Sequence, residues 1–217
     1  MKPRVDNYQY QAAQAKKLFL TYDQQELIRR CRLNYDDNFF YIRFLGEDYR
    51  ICRQTGNMER RQRHTWVDGN SFNEVMILLD WLCDSKADRF ITGTWVNVVS
   101  QGHYFHGNLQ EEKKDPYALR FDRDPAGFSA ACKALGGEAV AGADISFAIE
   151  LVDGLKILVQ LWHGDEEFAP RLRYLWDANA LMYLRYETTW YAVGLLLARL
   201  REKMEEQGCL FKQNDCK

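Results

Sequence analysis

The sequence predicts an α+β fold in which antiparallel hairpins form a sheet that packs against helices, with a helical C-terminal third. Two pairs of strand-like segments, each joined by a short turn, indicate hairpins. Amphipathic segments of helical period lie before, between and after those hairpins, and this order favours an antiparallel sheet over a wound parallel one. With 217 residues, of which 47% are hydrophobic, the chain can bury a core without a metal or a disulfide.

Three helices are predicted from spacing and capping signals in the first half of the chain. Residues 8–21 carry apolar side chains at helical positions, and residues 23–26 (Asp-Gln-Gln-Glu) form a capping box that opens a second helix. Ser71 and Glu74 form another capping box, and the apolar side chains behind it recur at i, i+3, i+4 and i+7. One face of this third helix is therefore expected in the core.

Two hairpins follow from strand composition. Residues 39–45 and 49–53 are rich in aromatic and β-branched side chains and flank a turn at 46–48. Residues 145–151 and 155–161 alternate with period two on either side of an Asp-Gly pair, which is a strong hairpin signal.

Further elements complete the prediction. Segments 91–99 and 172–176 have the composition of strands. Asp124, followed by proline, is a predicted N-cap of a helix that ends at a Gly-Gly pair. A single apolar stripe over residues 186–204 predicts a C-terminal helix of about 20 residues.

No Pro/Gly-rich linker or internal repeat divides the chain. Residues 1–207 are therefore predicted to form a single domain, and residues 208–217 a polar, flexible tail. The N-terminus is polar, and no apolar run approaches the roughly 20 residues of a membrane span. We accordingly expect a cytoplasmic protein without a membrane partner. A net charge of −2 argues against a protein that binds nucleic acid through its phosphates.

The most basic stretch, residues 53–64, contains four arginines and one glutamate. It lacks the interleaved aromatic side chains on which single-stranded nucleic acids stack. A solvated loop or a hairpin flank is the favoured interpretation, and a patch that binds an anionic partner is the alternative.

A first candidate site lies where the strand 155–161 ends. His163 is followed there by three carboxylates, and such groups could ligate a divalent cation or transfer protons. In this hypothesis Glu166 or Glu167 is the general base. An ordinary acidic surface loop is the competing interpretation.

Two further histidines lie between glycines, in a segment with no helical signal. If folding brought these residues together, four side chains would offer the ligand types of zinc or iron(II). The candidate metal ligands are His103, His106, His163 and Asp165. The function in this case would be a metal-dependent hydrolase or lyase. Ordinary loop histidines are the alternative, and Asp144 and Asp177 are further acidic candidates.

The leading functional hypothesis is a binding or accessory protein that holds a small ligand or cofactor, because no catalytic fingerprint accompanies the 14% aromatic residues. The candidate pocket rings are Trp95, Tyr104, Phe105, Trp162 and Trp176. The same rings could simply be core. A third hypothesis is a protein-interaction module that docks an acidic partner through the basic stretch 53–64.

Several motifs together resemble a family of uncharacterised bacterial and archaeal proteins, the domain of unknown function 3786. The resemblance covers about residues 20–203 and rests on these segments: Leu-Gly-Glu-Asp-Tyr at 45–49, Gly-Thr-Trp-Val at 93–96, Gly-Ala-Asp at 142–144, Leu-Trp-His-Gly-Asp-Glu-Glu-Phe at 161–168 and Leu-Trp-Asp at 175–177. Typical members continue the acidic motif with Phe-Pro, whereas here Ala169 separates the two residues. The resemblance implies no catalytic residues. Some relatives carry an N-terminal iron–sulfur module, which implies an accessory role in anaerobic cofactor metabolism, but this chain has no such cysteine-rich module.

Overall fold

The computed structural model describes residues 7–98 and 115–214, and the described chain has the predicted α+β architecture. It contains two antiparallel sheets of five strands each. The chain divides into two compact units, of which unit 1 comprises Met1–Phe90 and Asn179–Leu195, and unit 2 comprises Ile91–Ala178 and Leu196–Lys217. The assignment of residues 1–207 to one domain stays a prediction.

Unit 1 combines helices with the first sheet. Its helices are α1 (Asn7–Phe19), α2 (Gln24–Cys31), α3 (Phe72–Asp84), α6 (Ala180–Tyr183) and the beginning of α7 (Tyr186–Asn214). Its strands are β1 (Asn34–Tyr35), β2 (Phe39–Phe44), β3 (Glu47–Cys52), β4 (Met58–Gln62) and β5 (Thr65–Asp68), which pair in chain order.

The first predicted hairpin is β2–β3, with a turn shorter than expected. Leu45 and Gly46 make the connection with φ angles of 47° and 70°, the left-handed conformation that a two-residue hairpin turn requires. Alternate side chains of β2 are buried, and the ring of Phe40 lies 6.2 Å from that of Phe19 on α1. The sheet thus turns one face to the helices of unit 1.

The basic stretch 53–64 contains the strand β4 between two turns, and it lies in hairpins because β4 pairs with both β3 and β5. The strand β4 was not predicted because its charged residues, Arg60 among them, are typical of an exposed loop. The side chain of Arg60 is only 10% exposed and its Nη1 lies 3.1 Å from Oε2 of Glu47 on β3. An ion pair of this kind allows a charged residue to occupy an inward position of a sheet.

Helix α3 begins with the predicted capping box. The hydroxyl of Ser71 accepts the backbone N–H of Glu74, and the Glu74 carboxylate accepts the N–H of Ser71. Burial is not restricted to one face, since every residue from Ile77 to Cys83 is buried. That run includes Asp80, which accordingly needs a polar partner.

Unit 2 contains the second sheet, with strand order β6-β10-β9-β8-β7. Its strands are β6 (Trp95–Val96), β7 (Glu138–Ala139), β8 (Ile145–Val152), β9 (Leu155–Trp162) and β10 (Arg171–Asp177). Its helices are α4 (Pro116–Arg123), α5 (Pro125–Ala134) and the remainder of α7. Of the predicted strand 91–99, only β6 forms within the described residues.

The second predicted hairpin, β8–β9, is confirmed. Asp153 and Gly154 form its turn with φ angles of 51° and 79°. Helix α5 is confirmed as well, since the carboxylate of Asp124 accepts the N–H of Gly127 at 2.9 Å. Helix α4 was not predicted from the sequence, and the carboxylate of Asp115 caps it by accepting the N–H groups of Tyr117 and Ala118.

Helix α7 is longer than predicted and continues to Asn214. The flexible tail from residue 208 stays a prediction. Among the helices of the described chain, none is both long and apolar enough to cross a membrane.

Candidate functional site

His163, at the end of β9, is held by two carboxylates of unit 2. Its Nδ1 lies 2.5 Å from Oδ1 of Asp122 on α4, and its backbone N–H donates to Oδ2 of Asp144 at 2.7 Å. The other oxygen of Asp122 accepts the N–H of Gly164 at 3.4 Å. Asp122 therefore holds the imidazole and Asp144 holds the backbone of His163, although 43% of the side chain is exposed. Asp144 was among the sequence candidates, whereas Asp122 was not.

Asp165 closes the turn that follows His163. Its Oδ1 accepts the backbone N–H groups of Phe168 and Glu167 at 2.7 Å and 2.9 Å. These hydrogen bonds, that from Phe168 first, lower the pKa of the Asp165 carboxyl. Glu166 and Glu167, the proposed general bases, are exposed on the same turn. One oxygen of the predicted metal ligand Asp165 is thus used for local structure.

The predicted metal site includes His103 and His106, which lie outside the described residues. Among the residues that the structure does describe, no three His, Cys, Asp or Glu side chains are grouped so that they could hold a metal ion. The described partners of His163 are Asp122 and Asp144, and neither belongs to the predicted ligand set. The four-ligand site stays a prediction.

Three of the five candidate pocket rings can be placed on the second sheet. Paired residues of neighbouring strands share a face, and faces alternate along each strand. Trp176 pairs with Ile157, which is an odd number of positions from Trp162, so Trp176 and Trp162 lie on opposite faces. Trp95 pairs with Asp177, the neighbour of Trp176, so Trp95 lies on the face of Trp162.

The sheet therefore separates Trp176 from the other two tryptophans. Trp176 is 3% exposed, whereas Trp95 is partly buried and packs against Ala148, Leu158 and Leu175. Tyr104 and Phe105 lie outside the described residues, and the five-ring pocket stays a prediction.

A different group of charged side chains lies in unit 1, where the C-terminal half of α3 meets the start of α7. Asp80 and Asp84 are one helical turn apart on α3 and share a face. Oδ2 of Asp80 accepts the backbone N–H of Arg185 at 2.8 Å, immediately before α7 begins. The guanidinium of Arg185 pairs with both carboxylates, with its Nε 3.1 Å from Oδ1 of Asp80 and its Nη2 on Oδ2 of Asp84.

These side chains line an open cleft with a volume of about 230 Å³. Its lining residues are Asp80, Asp84, Lys86, Leu181, Tyr183, Leu184 and Arg185. The cleft has acidic and basic side chains beside apolar ones. Such a combination can hold a small polar molecule.

Asp80 is the most buried charged group of the cleft, with 5% of its side chain exposed. Burial raises the pKa of its carboxyl, and a hydrogen bond from Thr188 and the backbone N–H of Arg185 oppose that shift. Its Oδ1 is buried and has no hydrogen bond, because the nearby Nε of Arg185 is not aligned for one. Arg185 therefore covers both oxygens of Asp80, one with its backbone N–H and the other with its guanidinium.

An apolar groove of about 60 Å³ continues the cleft, because three of its lining residues (Asp80, Asp84 and Arg185) belong to the cleft as well. The remaining lining residues are Ala15, Leu18, Met76, Leu79, Cys83 and Thr188. Burial raises the pKa of the Cys83 thiol to about 12, so this thiol is protonated at neutral pH and is a poor nucleophile.

Sequence reasoning missed the cleft, although one signal pointed to part of it. Asp80 interrupts an apolar run in α3, and a carboxylate in such a run predicts a buried charge with a partner. That partner, Arg185, lies 105 positions along the chain. No local spacing rule connects residues so far apart.

The basic stretch proposed as a docking patch contributes few accessible charges. Arg60 is paired inside unit 1, and Arg53 donates to Oε1 of Gln24 and to the backbone oxygen of Asp36. Arg61 and Arg63 are exposed. The interaction hypothesis stays a prediction.

Comparison with protein families finds that the model described as Domain of unknown function (DUF3786) aligns with residues 23–199. This range agrees with the resemblance noted in the sequence. Searches of curated proteins and of solved structures found no match.

Proposed function

The chain belongs to the family described as Domain of unknown function (DUF3786), and we propose that it binds a small polar molecule in the cleft between α3 and the start of α7. The observation that carries this proposal is an open cavity of about 230 Å³ lined by two carboxylates, a guanidinium, an ammonium group and three apolar or aromatic side chains. Sites for small molecules characteristically place a few polar groups on an apolar lining.

The cleft retains hydrogen-bonding capacity that the protein itself does not use. The Nζ of Lys86 is exposed and has no polar partner within the described chain. Arg185 is oriented by two carboxylates, while 62% of its side chain is exposed. A ligand would find the donors of Arg185 already positioned, which reduces the entropic cost of binding.

A binding role is favoured over catalysis at this cleft. Cys83 is the one thiol that lines the adjoining groove, and its pKa of about 12 disfavours nucleophilic chemistry. The buried free thiols of Cys31, Cys83 and Cys132 support a cytoplasmic location, where cysteines remain reduced.

The proposal is tested by thermal shift and equilibrium dialysis with a fixed panel: amino acids, aliphatic carboxylates, inorganic phosphate and primary amines. At least one class should raise the melting temperature of the wild type. Lys86→Ala removes an exposed donor without disturbing packing, and Arg185→Ala removes the guanidinium. Both variants should lose that response.

Two variants with unrelated exposed cations are the controls. Arg43 pairs with Asp48 on the surface of the first sheet, and Lys17 is exposed on α1. Arg43→Ala and Lys17→Ala should respond as the wild type does. Equal binding by Lys86→Ala, Arg185→Ala and the controls would place any ligand elsewhere and refute the proposal, as would a panel in which nothing binds.

A further inference from the structure

The carboxylates that line the cleft are already engaged by the protein itself. Oδ2 of Asp80 accepts the backbone N–H of Arg185, and its Oδ1 lies 3.1 Å from Nε of the same arginine. Oδ1 of Asp84 accepts the hydroxyl of Tyr22 at 3.2 Å, and its Oδ2 pairs with Nη2 of Arg185. A cationic ligand would therefore have to displace Arg185.

The groups that remain for a ligand are donors with a positive charge. The backbone N–H of Lys86 donates to the oxygen of Met182 at 2.8 Å, which fixes Lys86 beside α6, while its ammonium group has no polar partner among the described residues. The Nη1 of Arg185 takes part in no described hydrogen bond, and 62% of that side chain is exposed. An anion accepts from such groups through strong, charge-assisted hydrogen bonds.

The acidic side chains of the cleft limit how much negative charge a ligand can bring. Asp80 and Asp84 line the same cavity as Lys86 and Arg185. A ligand with two negative charges, such as phosphate, is repelled by these carboxylates about twice as strongly as a ligand with one. A carboxylate has a single charge and two oxygens, one for each cation.

The apolar groove beside the cleft indicates what else the ligand carries. The groove shares Asp80, Asp84 and Arg185 with the cleft, so one molecule can occupy both. Leu18 and Met76 are among the apolar side chains that line the groove. Such a lining favours a short hydrocarbon chain over a second polar group.

We propose that the cleft binds a monocarboxylate with a short aliphatic chain. Its carboxylate accepts hydrogen bonds from Nζ of Lys86 and Nη1 of Arg185, and its chain enters the groove beside Leu18 and Met76. Arg185 keeps its own carboxylate partners throughout. This inference rests on the proposed function and specifies the class of ligand.

Ligand-observed NMR titration of the full chain with five probes tests each part of the assignment. Pentanoate has both matched groups, acetate lacks the chain, 1-pentanol lacks the charge, 1-pentylamine reverses the charge, and inorganic phosphate lacks the chain and has a higher charge. Pentanoate should bind at least about tenfold more tightly than acetate, 1-pentanol or phosphate, and 1-pentylamine should not bind measurably.

A charge reversal tests the polar end of the ligand. Lys86 is exposed, so Lys86→Glu spares the core. The order of affinities should invert in this variant, with 1-pentylamine binding more tightly than pentanoate. The control Lys17→Glu reverses an exposed lysine of α1 that lines neither cavity, and it should retain the wild-type order.

The variant Leu18→Ser tests the apolar end. Leu18 is 51% exposed on α1, so its replacement also spares the core. The advantage of pentanoate over acetate should shrink at least about threefold in this variant. It should remain unchanged in the control Leu20→Ser, which alters a comparably exposed leucine outside the groove.

The outcomes separate the two proposals. If phosphate or 1-pentylamine binds most tightly and Arg185→Ala abolishes that binding, the carboxylate assignment is wrong while the cleft remains the site. If Lys86→Glu keeps the wild-type order, or Leu18→Ser leaves the advantage of pentanoate unchanged, the assignment is equally wrong. If none of the five probes binds, the assignment fails, whatever else the cleft binds.

Discussion

The two units each contain a cluster of carboxylates and one basic side chain, and the clusters differ in how their polar groups are satisfied. In unit 2, Asp165 accepts two backbone N–H groups of its own turn, and His163 lies between Asp122 and Asp144. In unit 1, by contrast, Oδ1 of Asp80 is buried and has no hydrogen bond. In unit 2, the carboxylate of Asp165, which belongs to an acidic run of the sequence, thus stabilises a turn. In unit 1 the partner of the buried carboxylate comes instead from a distant segment, since Arg185 lies 105 positions from Asp80.

The largest expected effect in this comparison is on stability, when the buried carboxylate of unit 1 is removed. Asp80→Ala leaves the backbone N–H of Arg185 without its acceptor and Arg185 with one ion-pair partner fewer. We expect the free energy of unfolding in urea to fall by about 2–3 kcal/mol. Asp80→Asn retains an acceptor and is the control. Equal losses in the two variants would show that the hydrogen bond to Arg185 contributes little.

A smaller effect concerns pH. Burial holds the pKa of Asp80 above its unfolded value of about 3.9, so the folded state binds the proton more tightly than the unfolded state. The resulting stability is complete below the unfolded pKa and is lost as the pH rises through the folded pKa. The charged groups facing Asp80 are Asp84 and Arg185.

Asp80→Asn has no such titration. Its free energy of unfolding, minus that of the wild type, should therefore increase as the pH rises from about 4 toward neutrality. Urea unfolding at several pH values measures the difference. A constant difference would mean that burial does not shift the pKa of Asp80.

The corresponding change in unit 2 should be weaker. Asp122→Ala removes the partner of His163 Nδ1, but 43% of the His163 side chain is exposed and water can replace the lost contact. We expect a loss of about 1 kcal/mol in urea unfolding. A loss as large as that of Asp80→Ala would contradict the contrast between the two clusters.

The smallest effect is expected at Asp165. Its exposed carboxylate closes a single turn, so Asp165→Ala should leave the unfolding midpoint within experimental error. Hydrogen exchange is the sensitive measurement, because the amides of Glu167 and Phe168 lose their acceptor and should exchange faster. A clear shift of the unfolding midpoint would show that this turn also contributes to the global stability of the protein.

Local signals accounted for much of the fold. The Asp153-Gly154 turn and the Ser71 capping box act over a few residues, so the sequence alone predicts β8–β9 and the start of α3. The strand β4 was missed because Arg60 occupies an inward position that is tolerable only beside Glu47, a residue of another strand. The pattern of charges along the sequence does not show which oppositely charged residue a neighbouring strand will provide.

The candidate sites differ in the same way. Asp144 was only a further acidic candidate in the sequence, and the structure places it at the backbone of His163 because both residues lie at the same end of the β8–β9 hairpin. Asp80 was not among the sequence candidates, and its only local signal is that it interrupts the apolar run of α3. The cleft requires Arg185, and its pairing with Asp80 and Asp84 arises only when α7 packs against α3.

The two-segment composition of unit 1 has a consequence for synthesis of the chain. Residues 91–178 are translated between the segment that carries Asp80 and the segment that carries Arg185. A ribosome-bound chain that ends before residue 185 therefore has two carboxylates on α3 without their cation. The cleft is therefore completed late in translation, after most of unit 2 has been made.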